Sequence, residues 1–127
     1  MIPALLLAAA LNTALSAAPA LMVSVRPPPG VGFNARSPSL ITVQAGTYRQ
    51  QFPLTGVPDP TYPDAFRAVR PLSVRLPAHV RGSVTLHARL FLCDRVNGLC
   101  SVHEQTRRVT LKAGLTVPVA VQVTGER

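Results

Sequence analysis

Acidic side chains are scarce in this 127-residue chain, which has five of them against thirteen lysines and arginines. Hydrolases that rely on general acid and base catalysis commonly pair two carboxyl groups at the reacting bond. The five here are Asp59, Asp64, Asp94, Glu104 and Glu126. No two of them are predicted to lie close together on a common face, and the chain has no G-x-S-x-G nucleophile motif. Both absences argue against a hydrolase.

Metal-binding side chains are also few, with three histidines and two cysteines. A structural zinc site needs about four ligands, and Cys93, Cys100, His87 and His103 do not have the spacing of a zinc finger. A cysteine nucleophile would need a nearby base. His87 shares the strand face of Cys93 but stands six residues, about 20 Å, away from it. His103 points to the face opposite Cys100, and His79 is expected in a loop. We therefore predict no metal, no cofactor and no Cys–His catalytic pair.

Aromatic residues make up only 5% of the chain, although its formal net charge is +8. Proteins that bind single-stranded nucleic acid combine clustered basic residues with aromatic rings that stack on the bases. Here twelve of the thirteen basic residues are arginines scattered along the chain, and only Arg107 and Arg108 are adjacent. We predict no nucleic-acid partner. The charge is interpreted as a solvated basic surface that is attracted to anionic cell envelopes.

Long hydrophobic runs are absent beyond the N-terminal segment, so we predict no stable membrane span. An apolar run from Ile2 to Leu15 is followed by Ala18-Pro19-Ala20, an A-x-A cleavage site, although no lysine or arginine precedes the run. These features predict a secretory signal peptide over residues 1–20, with cleavage after Ala18 or Ala20. The expected location is the periplasm or another extracytoplasmic space. Residues 21–127 are expected to form one small domain.

Proline is abundant, with thirteen residues, and argues against long helices. Short segments rich in Val, Leu and Thr instead predict an all-β fold. The predicted strands include residues 21–25, 40–44, 51–54, 71–76, 83–93 and 115–123. Residues 30–38 are predicted to form a linker and residues 56–63 a loop, and a helical turn is expected only over residues 64–69. About seven strands at this spacing favour an immunoglobulin-like β-sandwich.

Both cysteines lie at the ends of the stretch from Cys93 to Cys100, directly after the predicted strand 83–93. That strand alternates, and its apolar face consists of Val84, Leu86, Ala88, Leu90 and Leu92. Asn97-Gly98 predicts a chain reversal that brings the two sulfurs within bonding range. Because Cys93 shares the parity of the polar residues, we predict that the pair lies on the surface. The apolar parity then changes between Val102 and Val109, which predicts a bulge near residues 103–106.

Two roles for the cysteine pair remain open from these residues alone. One is a structural staple, because closing so short a loop stabilises by about 2.5 kcal/mol in the chain-entropy model. The other is thiol–disulfide exchange, for which Arg95 would favour the attacking thiolate and Asp94 would disfavour it. The first role corresponds to a non-enzymatic secreted β-sandwich that binds a protein or envelope component. The second corresponds to a component of a protein-disulfide reductase.

Three collinear segments resemble the periplasmic N-terminal domain of the thiol:disulfide interchange protein DsbD. The segment from Leu90 through Cys93 and Cys100 to Leu111 is similar to the cysteine-bearing hairpin of that family. Residues 30–38 are similar to its G-x-H-[IV]-N-A-x-x-P stretch, and Tyr62-Pro63 stands where the family has Tyr-Pro. Gly32 replaces the family's histidine, Phe33 replaces an aliphatic residue, and Ser101-Val102 replaces a proline-containing segment.

The resemblance implies an immunoglobulin-like sandwich in which Cys93 and Cys100 are the redox pair. It further implies that the pair receives electrons from a membrane-embedded reductase and passes them to oxidised extracytoplasmic proteins. One cysteine would attack the partner's disulfide, and the other would resolve the mixed disulfide. Residues 1–127 contain neither the family's membrane conduit nor its thioredoxin-like domain, so we expect the reductase to be a separate partner.

Overall fold

Ten β-strands make up the secondary structure of the computed structural model, which describes residues 18–123. No helix occurs in this part of the chain, and the all-β prediction is therefore confirmed. In chain order the strands are β1 (Ala20–Arg26), β2 (Val31–Asn34), β3 (Leu40–Ala45), β4 (Tyr48–Pro53), β5 (Gly56–Pro58), β6 (Ala65–Val69), β7 (Leu72–Arg75), β8 (Ser83–Asp94), β9 (Cys100–Thr110) and β10 (Thr116–Gln122).

The strands form two sheets, an arrangement consistent with the predicted β-sandwich. The smaller sheet has the order β10-β1-β7, in which β1 runs parallel to β10 and antiparallel to β7. The larger, curled sheet has seven strands and is organised around β8. One edge of β8 pairs with β9, while the other edge pairs first with β3 and then with β2. Strand β4 flanks β3, and β6 and β5 continue the sheet beyond β2.

Apolar side chains from both sheets form one core. On β8 the predicted alternation is confirmed, since all five of its even-numbered apolar residues are no more than 5% exposed. They join aliphatic residues of the smaller sheet, including Leu21, Val23 and Val121, in a single cluster. Burying a side chain of this size stabilises the fold by about 1.5–3 kcal/mol. This packing fixes which face of β8 points inward and leaves the odd-numbered residues, Cys93 among them, on the other face.

Three segments predicted to lack strands contain them. In place of the helical turn predicted over residues 64–69, Ala65–Val69 forms β6, and the predicted loop 56–63 begins with β5. The predicted linker 30–38 contains β2. All three strands are short, and they pair with one another and with β8 across the sheet. Their conformation therefore depends on partners distant in the chain, which local sequence patterns do not report.

The predicted bulge near residues 103–106 is wrong. The pairing of β8 with β9 keeps one register from Ser83–Thr110 to Cys93–Cys100. Val109 is buried opposite Val84, whereas Val102 lies opposite Phe91 on the outer face and is 48% exposed. The change of apolar parity thus reflects an edge strand with polar residues on most of its inward face, not an inserted residue.

The predicted signal peptide lies mostly outside the described residues and stays a prediction. Of its residues, the structure describes only 18–20. The carbonyl oxygen of Pro19 accepts a hydrogen bond from the Leu76 N–H at 3.0 Å. The N–H of Ala20 donates to the carbonyl oxygen of Leu115 at 3.1 Å. Backbone groups on both sides of the Pro19–Ala20 bond therefore take part in the smaller sheet.

Gly56 should tolerate no side chain, because a Cβ atom there would lie 2.0 Å from Cγ of the Phe66 ring. Residue 56 is buried, and Phe66 packs against the core. We expect Gly56→Ala to lower the free energy of unfolding by about 1–3 kcal/mol, as overpacking does elsewhere. The neighbouring Thr55→Ala change, at an exposed residue, serves as the control and should stay within about 0.5 kcal/mol. Urea denaturation measures both, and equal stabilities would contradict this packing.

Candidate functional site

The two cysteines form a disulfide at the end of the β8–β9 hairpin. Cys93 and Cys100 lie directly opposite each other in the register, with their Cα atoms 4.0 Å apart. The N–H of Asp94 donates to the carbonyl oxygen of Leu99 at 2.8 Å. The cysteines therefore occupy the adjacent non-hydrogen-bonded pair, which is where side chains on neighbouring strands approach most closely.

Side chains of the turn hold the chain reversal between the cysteines. Oδ1 of Asp94 accepts hydrogen bonds from the N–H groups of Val96 and Asn97 at 2.8 and 3.2 Å. Oδ1 of Asn97 accepts a bond from the Leu99 N–H at 2.8 Å. Gly98 has a φ of 76°, whereas no residue other than glycine has a positive φ in the described structure. The predicted reversal at Asn97-Gly98 is present, but Asn97 contributes its side chain rather than a left-handed backbone.

The disulfide lies on the outer face of the larger sheet, as the parity of Cys93 predicts. Cys100 is exposed and Cys93 is half-buried. Apolar residues around the pair are also unusually exposed: Val96 is 91% and Leu99 71% accessible. The β9 side of the pair is therefore its more exposed side.

Strand β2 covers the other side of the disulfide. Gly32 lies opposite Cys93 in the register. A Cβ atom on Gly32 would lie 2.8 Å from the carbonyl oxygen of Phe66, and side-chain carbons of Arg95 come within 3.8 Å of the same point. Any side chain at residue 32 would therefore require the backbone of Phe66 to move.

Arg95 links the hairpin to the loop between β5 and β6. Its Nη2 atom lies 2.9 Å from Oδ2 of Asp59, whose side chain is completely buried. Its guanidinium group also stacks over the Tyr62 ring, 5.7 Å from the ring centre. Oδ1 of Asp59 accepts hydrogen bonds from the N–H groups of Thr61 and Tyr62 at 2.9 and 3.3 Å. Arg95 therefore forms an ion pair with Asp59, and its expected effect on a cysteine thiolate stays a prediction.

A cleft of about 460 Å³ lies between this loop and the hairpin. Both cysteines line it, together with Tyr62, Val96 and, at the far side, the ion pair of Arg36 with Asp64. The lining combines apolar, charged and amide side chains.

The histidines stand apart from the cysteines. His87 lies on the same face as Cys93, as predicted, but contacts Glu104 at 2.8 Å and Thr106 at 3.1 Å. His103 follows the opposite parity from Cys100, and its Nε2 atom lies 3.4 Å from Oε1 of Gln105. Within residues 18–123 no group of three or more His, Cys, Asp and Glu side chains is arranged to hold a metal ion. The described chain also contains no helix with the length and hydropathy needed to cross a membrane.

Comparison of the chain with protein-family models, with curated proteins and with solved structures finds no match. The resemblance to the DsbD domain thus stays a hypothesis. Inferences about function therefore rest on the geometry of the disulfide.

The buried ion pair should contribute more to stability than the exposed one. Arg95→Met leaves the buried Asp59 carboxylate without its cation, and we expect a loss of about 2 kcal/mol in the free energy of unfolding. Arg36→Met makes the same change in an ion pair whose side chains are 77% and 65% exposed, and should cost less than about 0.5 kcal/mol.

A double variant provides the control. Adding Asp59→Asn to Arg95→Met removes the unpaired charge and should recover at least half of the lost stability. Equal losses for the two arginine variants, or no recovery in the double variant, would contradict this account of Asp59.

Proposed function

We propose that this protein is an exported thiol–disulfide exchange domain of the DsbD N-terminal type, with an immunoglobulin-like fold. Its Cys93–Cys100 pair accepts two electrons from a membrane-embedded thiol reductase. It then delivers them to oxidised proteins outside the cytoplasm. Residues 1–20 direct the chain there as a signal peptide.

The observation that carries this proposal is the position of the disulfide. The bond lies on the outer face of the sheet with Cys100 exposed, beside a cleft large enough for a peptide segment. An exchange protein needs its disulfide within reach of another protein's thiolate. A disulfide that only supports a core has no such requirement.

A purely structural role explains this position less well. Strands β8 and β9 pair in one register along residues 83–93 and 100–110, and the core packs beneath β8. The hairpin is therefore closed by backbone hydrogen bonds and packing before the disulfide is counted. The non-enzymatic binding module remains the alternative, and it requires the bond to be inert.

The difference in exposure supports different roles for the two sulfurs. A reductase thiolate attacks Sγ of Cys100, the Cys93–Cys100 bond breaks, and Cys93 leaves as a thiolate. A second thiolate of the reductase then attacks the reductase sulfur that is bonded to Cys100, and Cys100 leaves as a thiolate. The domain has thereby gained two electrons, and the reductase now holds a disulfide. In the delivery step the Cys100 thiolate attacks the oxidised partner, and Cys93 displaces the reduced partner. The thiolate that leaves in each step takes a proton from solvent.

The reduction potential of the pair tests this function. We expect a value above about −300 mV, since structural disulfides of secreted proteins lie below it. We also expect Cys93→Ser, which leaves the exposed Cys100, to trap a mixed disulfide with a small aromatic disulfide at least about tenfold faster than Cys100→Ser does. A potential below that limit, together with equal trapping by the two variants, would favour the structural staple.

A further inference from the structure

The outer edge of β9 is open next to the redox pair. Strand β9 pairs with β8 along its inner edge, and its outer edge has no strand partner in the described part of the chain. The segment from Cys100 to Thr106 is exposed or half-buried at every residue. It contains neither proline nor a bulge, two of the devices with which proteins commonly block strand pairing at an edge.

The register identifies which backbone groups face this open edge. Two hydrogen bonds fix the pattern at opposite ends of the hairpin: Asp94 N–H to Leu99 C=O at 2.8 Å, and Leu111 N–H to Gly82 C=O at 2.7 Å. Residues of an antiparallel pair alternate between bonding their neighbour and pointing their N–H and C=O away from it. The odd-numbered residues of β9 therefore bond β8. Cys100, Val102 and Glu104 point their N–H and C=O groups outward.

We propose that the reductase docks by adding an extended cysteine-containing segment, as an antiparallel strand, to the outer edge of β9. This proposal rests on the function proposed above and specifies how the electron donor is recognised. Main-chain hydrogen bonds to Cys100, Val102 and Glu104 supply the affinity, as in other cases of β-strand addition.

Strand addition places the reacting sulfurs correctly. A residue that exchanges hydrogen bonds with Cys100 lies directly opposite it, with a Cα–Cα separation of about 5.5 Å and its side chain on the same face. Most disulfides span Cα–Cα distances of about 4.4–6.8 Å, so a cysteine there can bond Cys100 without backbone movement.

The direction of attack also fits. Cys93 lies on one side of Cys100, on β8, and the added strand lies on the other side. The incoming thiolate thus approaches Sγ of Cys100 from the side opposite the leaving sulfur of Cys93. The new bond forms to Cys100 while the Cys93 thiolate departs with the electron pair.

The edge also favours one sequence around the donor cysteine. In an antiparallel strand the residue two positions before that cysteine lies opposite Val102, which is 48% exposed beside Phe91. A β-branched or aromatic residue there would bury apolar surface against Val102. The preferred segment therefore reads apolar-x-Cys.

Two N-methylated peptides test the proposal on the unmodified oxidised protein. Both are seven-residue peptides with one cysteine and a valine two residues before it. In the first, the N–H of that valine is methylated, which removes a bond to β9. In the second peptide, the methylated N–H belongs to the residue directly before the valine, and this N–H would face solvent in the added strand. We expect the first peptide to form the mixed disulfide at Cys100 at least about tenfold more slowly than the second.

Two protein variants provide a second readout. Val102→Pro removes one outward N–H without removing a bond to β8, and proline is tolerated at such edge positions. Val102→Ile keeps the N–H, the β-branched shape and the apolar side chain, and serves as the control. We expect only the proline variant to slow the unmethylated peptide, with both variants still reacting normally with dithiothreitol.

The outcomes separate this proposal from the proposed function. Equal rates for the two methylated peptides, or mapping of the mixed disulfide to Cys93, overturn docking at the β9 edge while leaving exchange intact. If neither peptide nor dithiothreitol reduces the folded protein, the exchange function itself fails and this proposal fails with it.

Discussion

The continuous antiparallel register between β8 and β9 is the constraint on which the site depends. Because no residue is inserted between Ser83–Thr110 and Cys93–Cys100, burial of the even-numbered residues of β8 decides where Cys93 points. The same register puts Cys100 opposite Cys93 and turns its backbone groups to the open edge. A single inserted residue in β8 would move the cysteine to the core face and remove the bond from solvent.

The sequence predicts the long strands better than the short ones, for a physical reason. Strand β8 has five apolar residues at alternate positions, and this pattern specifies both conformation and buried face. Strand β5 has only three residues, and β6 has neither a fully buried residue nor such an alternation. They become strands because β6 pairs with β2 and β5 pairs with β6, and a single sequence does not show those long-range pairings. The expected bulge in β9 failed because an edge strand need not follow the apolar pattern of a buried one.

The features of the site likewise divide into those that local sequence patterns predict and those that depend on distant segments. The cysteines, their surface location and the turn at Asn97-Gly98 follow from parity and turn chemistry within one hairpin. The contacts of Arg95 with Asp59 and Tyr62 were not predictable, because they join segments more than thirty residues apart. Through these contacts Arg95 joins the hairpin to the β5–β6 loop.

Direct attack on the disulfide of the folded protein is the central claim of this account. The most direct test measures how fast dithiothreitol reduces the Cys93–Cys100 bond at urea concentrations well below the unfolding transition. If the native fold exposes Cys100 to thiolates, the second-order rate constant will be nearly independent of urea. A rate constant that rises exponentially with urea, with the slope of global unfolding, would show that the bond is reduced only in the unfolded chain and would contradict the account.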